Sequence, residues 1–191
     1  MREIHCEDAL AWLATYNGAG AIVSRPPGPD AIGPEAFSQV LAGCFAVGNP
    51  AALYLTDFEQ HGLHVSAAEM AFHIARHIAG VDLVWHKIAL HDFDARPGYS
   101  HVLAFGRDVT AGQATPDVFD RGTMLYPNAT GLVAARMMVE FAGKWAQPII
   151  DPFCGYGTVP AVAEALGYDA IGIDIDPEMC ERARNLKLEL A

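Results

Sequence analysis

The sequence predicts an α/β fold, a sheet covered by helices, and three observations carry that prediction. Short apolar runs that end in turn or acidic residues alternate with longer stretches of helical spacing. Apolar residues make up 52% of the 191 residues and charged ones only 18%, enough for the core of one globular domain and too apolar for a disordered chain. A glycine turn, Gly155-Tyr156-Gly157, stands between a strand-like run and a helix-like one.

Taken in order, residues 3–7 form the first strand, which closes on Glu7 and Asp8, and helical spacing follows over 9–16. The apolar run 19–24 is the second strand, ended by Arg25-Pro26-Pro27, and a helix covers 34–46. The continuous apolar run 51–56 is the third strand, and the spacing of 66–79 predicts one helix. Strands at 81–90 and 100–106 come next. Between Gly106 and Gly131 the pattern lapses, which predicts a surface loop of a length often given to function. A helix at 131–142, a buried strand at 148–151, a helix at 159–166, a strand at 169–174 and a last helix at 177–190 bring the strand count to seven.

With 12 Lys and Arg against 23 Asp and Glu, the net charge is −11, and no run of four basic residues occurs, so counter-ion release gives the chain no general grip on nucleic acid. Cys6, Cys44, Cys154 and Cys180 stand apart without a C-x-x-C pair, as reduced cytosolic thiols do. The first residues are too polar for a signal peptide, and no stretch of about 18 apolar residues occurs. These features predict a soluble, cytoplasmic protein with no membrane contact.

The chemical signal lies near the C-terminus. Pro148-Ile149-Ile150-Asp151 reads as a buried strand, residues 152–158 as a glycine turn, and a second strand ends in Asp174, placed to hydrogen-bond a ribose diol. The third glycine of a dinucleotide fingerprint would fall at position 160, where this chain has Pro160. Asp151, at the carboxyl end of its strand, would repel a pyrophosphate and attract the α-amino group of S-adenosylmethionine. A bland reading makes Gly155 and Gly157 a tight turn and Asp174 a helix cap. The coincidence of strand, glycines, helix and distal acid outweighs it.

Asp151-Pro152-Phe153-Cys154-Gly155-Tyr156-Gly157-Thr158 and Gly172-Ile173-Asp174-Ile175-Asp176-Pro177 resemble the cofactor motifs of the DNA amino-methyltransferases, in the circularly permuted class whose cofactor half comes last. Glu7-Asp8-Ala9-Leu10 resembles the family's G-D-x-L segment, Trp85-His86-Lys87 its W-x-K strand, and Tyr126-Pro127-Asn128 its H-P-T segment. The resemblance implies a Rossmann-like, seven-stranded, mostly parallel methyltransferase sheet in circularly permuted order, with the last hairpin reversed. It implies one domain over 1–191, with catalytic-half strands in 1–106, a loop at 107–130 and a cofactor half at 131–191. It also implies S-adenosylmethionine as cofactor. Asp8 would meet the adenine, the segment Tyr126, Pro127 and Asn128 the methionine carboxylate, and Asp151, Phe153, Gly155, Gly157, Thr158, Asp174 and Asp176 the rest.

At the family's catalytic D/N/S-P-P-Y/F/W motif the chain has Ser24-Arg25-Pro26-Pro27-Gly28. An exocyclic amine is a poor nucleophile, so a methyltransferase must accept its hydrogens and aim its nitrogen. Arg25 has only donors and a fixed positive charge, which would also repel a sulfonium. Gly28 has no ring to stack on a flipped base. Ser24 could serve as acceptor only if a bulge turned it to the other face. The loop 107–125 sets Arg107 and Arg121 against Asp108, Asp117 and Asp120, too acidic to track phosphates alone. The sequence therefore leaves three readings. One is an amino-methyltransferase, weak or altered in acceptor, that acts on DNA or another amine-bearing acceptor, with a protein partner supplying target recognition. Another is an inactive S-adenosylmethionine-binding subunit or sensor. The third is a methyltransferase for an anionic small molecule held by Arg25.

Other constellations have bland readings. His73 and His77 lie four apart near Glu69 but lack the H-E-x-x-H pattern, so no metal site is expected. His86, His91 and His101 have no partner assigned by spacing. Cys154 fits the turn by its size rather than as a nucleophile. Glu178 and Arg182 are spaced for an i,i+4 pair on a solvated helix face.

Overall fold

A computed structural model describes residues 1–92, 95, 97–112 and 115–189. Strand β1 (Arg2–Cys6) leads into α1 (Ala9–Thr15), where Asp8 caps the helix by accepting the Ala11 N–H at 2.8 Å. β2 (Ala21–Ser24) is wholly buried; α2 (Pro29–Ile32) and α3 (Pro34–Val47) each start on a proline, which suits the first helical turn. β3 (Ala51–Leu55) is followed by a hairpin, β4 (Phe58–Gln60) and β5 (Leu63–Val65). Ser66 caps α4 (Ala67–Ile74), which continues as a π-helical turn, Ala75–Ala79, ended by left-handed Gly80 (φ 61°). Then come β6 (Asp82–Leu90), β7 (Tyr99–Gly106), β8 (Val118–Asp120), α5 (Leu132–Ala142), β9 (Ile149–Asp151), α6 (Thr158–Ala165), β10 (Ala170–Asp174) and α7 (Pro177–Asn185).

The main sheet has eight strands in the order β1-β10-β9-β2-β3-β7-β6-β8. β1, β10, β9, β2 and β3 run parallel, β7 is antiparallel to both of its neighbours, and β8 is parallel to β6. Side chains of one strand alternate between two apolar layers: Ile22 joins Phe37, Leu41 and Phe45 on one face, while Ala21 and Val23 join Met138, Val139 and Val162 on the other. A strand buried on both faces reads as an unbroken apolar run, which is why β2 and β3 were legible. The chain steps from β9 outward to β10 on one side and from β2 outward to β3 on the other. The carboxyl ends of β9, β10 and β2 therefore flank a crevice at the switch point of the sheet.

The α/β fold class and all seven predicted strands are present, with boundary shifts of one or two residues. Four expectations need correction. The main sheet has an eighth strand, β8, inside the segment read as loop. Only β7 is reversed, rather than a whole hairpin, because β6 pairs antiparallel with β7 and so returns to the common direction. The helix over 66–79 is α-helical only to Ile74, and the last helix stops at Asn185; its predicted end at Leu190 lies outside the described residues. Among the described residues no helix is long and apolar enough to cross a membrane.

Candidate functional site

The glycine turn between β9 and α6 builds the floor of the crevice. Gly155 and Gly157 both have positive φ, 52° and 88°. A Cβ on Gly157 would come within 2.8 Å of the Ala183 backbone in α7, whereas one on Gly155 would meet nothing within 4 Å, so Gly155 turns a bare backbone toward open space. Asp174, at the end of β10, binds this turn to its own strand: Oδ2 accepts the Gly155 N–H at 2.9 Å and Oδ1 the Asp176 N–H at 2.9 Å. On the other side the Tyr126 hydroxyl meets Thr158 Oγ1 at 2.8 Å and accepts the Thr158 N–H at 3.3 Å, so it sits on the N-terminus of α6. Burial lifts the Tyr126 phenol above its ordinary pKa.

Three adjoining cavities open here, and Phe153 lines all of them. One of about 210 Å³ has Asp8 and Asp174 at its polar edge and Leu10, Ile32, Pro152 and Ile175 as apolar walls. One of about 70 Å³ lies against Tyr126, Asn128, Asp151, Gly155 and Thr158. The third, about 750 Å³, is walled by Arg25, Pro26, Pro27, Gly28, Tyr54 and Asp57. Thus eleven of the fifteen sequence-selected positions line these cavities, Gly157 lies in the turn itself, and three stand apart. Asp176 is an exposed helix cap, its Oδ1 accepting the Glu178 N–H at 2.8 Å. Pro127 is exposed and lines none of the three cavities. Ser24 has no exposed surface at all.

The buried pair Ser24–Asp151 changes the reading of both residues. Ser24 Oγ donates to Asp151 Oδ1 at 2.6 Å, and the Phe153 N–H donates to the same oxygen at 3.2 Å. Burial pushes the Asp151 carboxyl up to about 7, against those two hydrogen bonds and with help from the nearby Asp174 charge. Ser24 therefore positions Asp151, and a role in accepting an amine is not open to a side chain enclosed in the sheet. Arg25, next in sequence, turns out of the strand. Its Nη1 donates to the Asn128 carbonyl and, at 3.4 Å, to that of Ala129, while its guanidinium carbon lies 5.6 Å from the centre of the Tyr54 ring. Burial lowers its pKa from the ordinary arginine value.

A polar network beside the 750 Å³ cavity escaped the sequence reading. Asp57, 5% exposed, accepts from Ser66 Oγ at 3.1 Å and the Ala67 N–H at 2.9 Å on Oδ1. Its Oδ2 faces His101 Nε2 at 2.9 Å and His64 Nε2 at 3.2 Å. Burial works to raise this carboxyl, but the hydrogen bonds from His101, Ser66 and Ala67 outweigh it and hold it below the ordinary range. His86 Nε2 lies 2.8 Å from His101 Nδ1, which completes a chain from Asp57 to the surface. His91 donates Nδ1–H to the Pro97 carbonyl at 2.8 Å, which leaves Nε2 to accept from Tyr54 and Ser100 at 3.0 and 2.9 Å. These partners come from neighbouring antiparallel strands, so no local pattern announces them.

The remaining candidates keep their bland readings. The His73 and His77 rings are 4.9 Å apart, and among the described residues no group of three His, Cys, Asp or Glu side chains is arranged to hold a metal ion. All four cysteines are free, and burial drives the Cys154 thiol well above its ordinary range, unsuited to a nucleophile. Glu178 and Arg182 form their pair at 2.7 Å.

Residues 121–185 match the model of the DNA methylase family. Over 60 residues the chain is 40% identical to the tRNA (guanine(10)-N2)-dimethyltransferase of Methanothermobacter thermautotrophicus, a match that covers 31% of this chain and 18% of that protein. Over 59 residues it is 32% identical to an uncharacterized RNA methyltransferase of Parasynechococcus marenigrum, covering 31% and 13%. The chain therefore spans less than a fifth of the length of these curated relatives. Among solved structures, the cytosine-N4-specific PvuII DNA methyltransferase superposes with a TM-score of 0.79 at 10% identity, over 100% of this chain and 88% of that one. The M1.HpyAVI–SAM complex does so with 0.69 at 14% identity, over 97% and 98%. The chain shares the fold of the PvuII methyltransferase and of M1.HpyAVI along its length, and residues 121–185 carry the sequence pattern of the DNA methylase family, in agreement with the resemblance read from the sequence.

Proposed function

We propose that this chain binds S-adenosylmethionine in the crevice at β9 and β10 and transfers its methyl group to a nitrogen acceptor, with DNA as the acceptor class. The observation that carries the reading is the left-handed Gly155–Gly157 turn, whose bare backbone faces the crevice and is bound to Asp174 at the end of the adjacent strand. The residues fit the cofactor in kind. The 210 Å³ cavity offers apolar walls for a purine and the carboxylates of Asp8 and Asp174 for its amine and ribose hydroxyls. The 70 Å³ cavity has an oxygen of the Asp151 carboxyl to accept a hydrogen bond from an ammonium and the N-terminus of α6 for a carboxylate. When bound, the cofactor supplies an electrophilic methyl on a positively charged sulfur. Pro27 and Phe153 line both the 210 Å³ cavity and the 750 Å³ cavity, where an acceptor would be held.

Calorimetry tests the cofactor half. The wild type should bind S-adenosylmethionine, and Asp174→Ala and Phe153→Ala should each weaken binding at least tenfold, roughly 1.4 kcal/mol. Absence of binding at about a millimolar, some 4 kcal/mol, would overturn the reading. Transfer of labelled methyl to duplex or single-stranded DNA tests the acceptor class; binding without transfer would remove DNA and leave the cofactor site standing.

A further inference from the structure

Five charged side chains line the 750 Å³ cavity: Arg25, Asp30, Asp57, Glu59 and Asp174. Methyl transfer to an amine needs a hydrogen-bond acceptor beside the nitrogen, and the two positions ahead of the prolines do not supply one. Ser24 is enclosed and donates to Asp151, and Arg25 has donors alone. Two of the four carboxylates are already engaged within the protein. Asp174 accepts the Gly155 and Asp176 N–H groups, one on each oxygen, and Asp57 accepts from Ser66 and Ala67 on one oxygen and faces His101 and His64 with the other. Glu59 belongs to the β4–β5 hairpin, opposite His64. Asp30 is exposed, lies just past the prolines and, among the described residues, meets no hydrogen-bond donor or ion-pair partner. Gly28 sets its place. A Cβ at position 28 would collide with Asp30 Oδ1, so the carboxylate lies against the bare face of Gly28, where any other residue would put its side chain. Gly28 itself has φ −69° and ψ 164°, a conformation open to every L-residue, so its backbone does not require glycine. What the missing side chain leaves is room for Asp30.

We infer that Asp30 is the carboxylate that contacts the acceptor amine, in place of the hydrogen-bond acceptor missing at positions 24 and 25, and that Gly28 is the gap that admits it. The inference rests on the proposed methyl transfer. In that reaction the nitrogen lone pair forms a bond to the methyl carbon as the carbon–sulfur bond breaks, and the electron pair of that bond stays on sulfur, which becomes a neutral thioether. The nitrogen gains positive charge and then gives up one hydrogen as a proton. An ionised carboxylate accepts a hydrogen bond from the amine at the start, favours the charge that develops on nitrogen and takes the proton, which an exposed group returns to water. It also offsets the guanidinium of Arg25 on the wall of the same cavity.

Transfer of labelled methyl from S-adenosylmethionine to a mixed-sequence single-stranded DNA oligonucleotide by the whole chain tests the inference, beside calorimetry of the cofactor and thermal melting. Asp30→Ala should lower kcat about a hundredfold. It should leave S-adenosylmethionine affinity and the melting temperature unchanged, because the carboxylate has no partner in the protein to lose. Asp30→Asn, which keeps a carbonyl oxygen, should recover part of kcat. Gly28→Ala keeps the carboxylate but displaces it, and should lower kcat about tenfold. Transfer by Asp30→Ala at the wild-type rate would overturn the inference and leave the methyltransferase reading standing. Loss of activity with a lower melting temperature, not recovered by Asp30→Asn, would make Asp30 a structural residue and overturn the inference as well. Full activity in Gly28→Ala would overturn the part assigned to the gap. If the wild type binds S-adenosylmethionine and methylates no base, the acceptor reading fails and the inference falls with it.

Discussion

A carboxyl at the end of β9 that is 3% exposed, with the Ser24 hydroxyl and the Phe153 N–H on one oxygen, keeps its proton up to about pH 7. The unfolded chain gives up that proton near pH 4. The folded form thus binds more protons over this interval, so the stability from neutral Asp151 is complete below about pH 4 and is lost as pH rises through 7. Asp151→Asn keeps an oxygen for both donors and removes the titration. Between pH 5 and pH 8 its stability in urea should gain on wild type by on the order of 2 to 3 kcal/mol, and curves that stay parallel would sink the assignment. At this scale the sequence found Asp151 and Arg25 because their places relative to glycines and prolines are local. It could not find the Asp57–His101–His86 chain, since His86 and His101 lie on β6 and β7 and meet only through the sheet register.

Elements whose cause is local were legible, and those that depend on distant partners were not. The β4–β5 hairpin closes on His61 and Gly62, both with positive φ (53° and 74°), a two-residue turn that the polar, half-exposed strands around it disguised. Beside the pairing of β8 with β6, Lys87, its side chain 7% exposed, tethers the segment that leads into β8 by donating to the Thr115 and Pro116 carbonyls and the Asp117 carboxylate at 2.9 to 3.0 Å. Lys87→Met should release that segment: amide exchange at residues 117–120 should rise to unprotected rates, with a loss of about 2 kcal/mol. Unchanged protection there would mean that the strand pairing alone holds it. In the glycine turn, Gly157→Ala should cost about 2 kcal/mol or more, since it adds a contact with Ala183 to a left-handed backbone. Gly155→Ala, with open space around it, should cost only about 1 kcal/mol in thermal or urea unfolding yet weaken S-adenosylmethionine binding, because its methyl would project into the crevice. Equal costs for the two would contradict the geometry.

Across the whole molecule the sheet interleaves the two ends of the chain. β9 lies between β10 and β2, and β10 lies between β9 and β1, so each strand of the C-terminal part has one neighbour from the N-terminal part. Arg2 ties the ends further, donating to the Leu186 carbonyl at 2.6 Å and that of Arg184 at 3.0 Å. The sequence pattern of the DNA methylase family covers 121–185, but the apolar layer under it draws Ala21, Val23, Ala52 and Ala104 from earlier strands. Periodicity could count strands; it could not order them, because no local force records which strand will be a neighbour. The interleaving has a measurable consequence. A fragment of residues 121–191 would leave β9 and β10 each with an open edge and an uncovered apolar face. It should show no cooperative thermal transition and no binding of S-adenosylmethionine. Mixed with residues 1–120, it should recover both, with a transition that shifts upward as either fragment is added in excess. A fragment 121–191 that melts cooperatively alone would make the matched segment an independent folding unit and refute the single cooperative sheet.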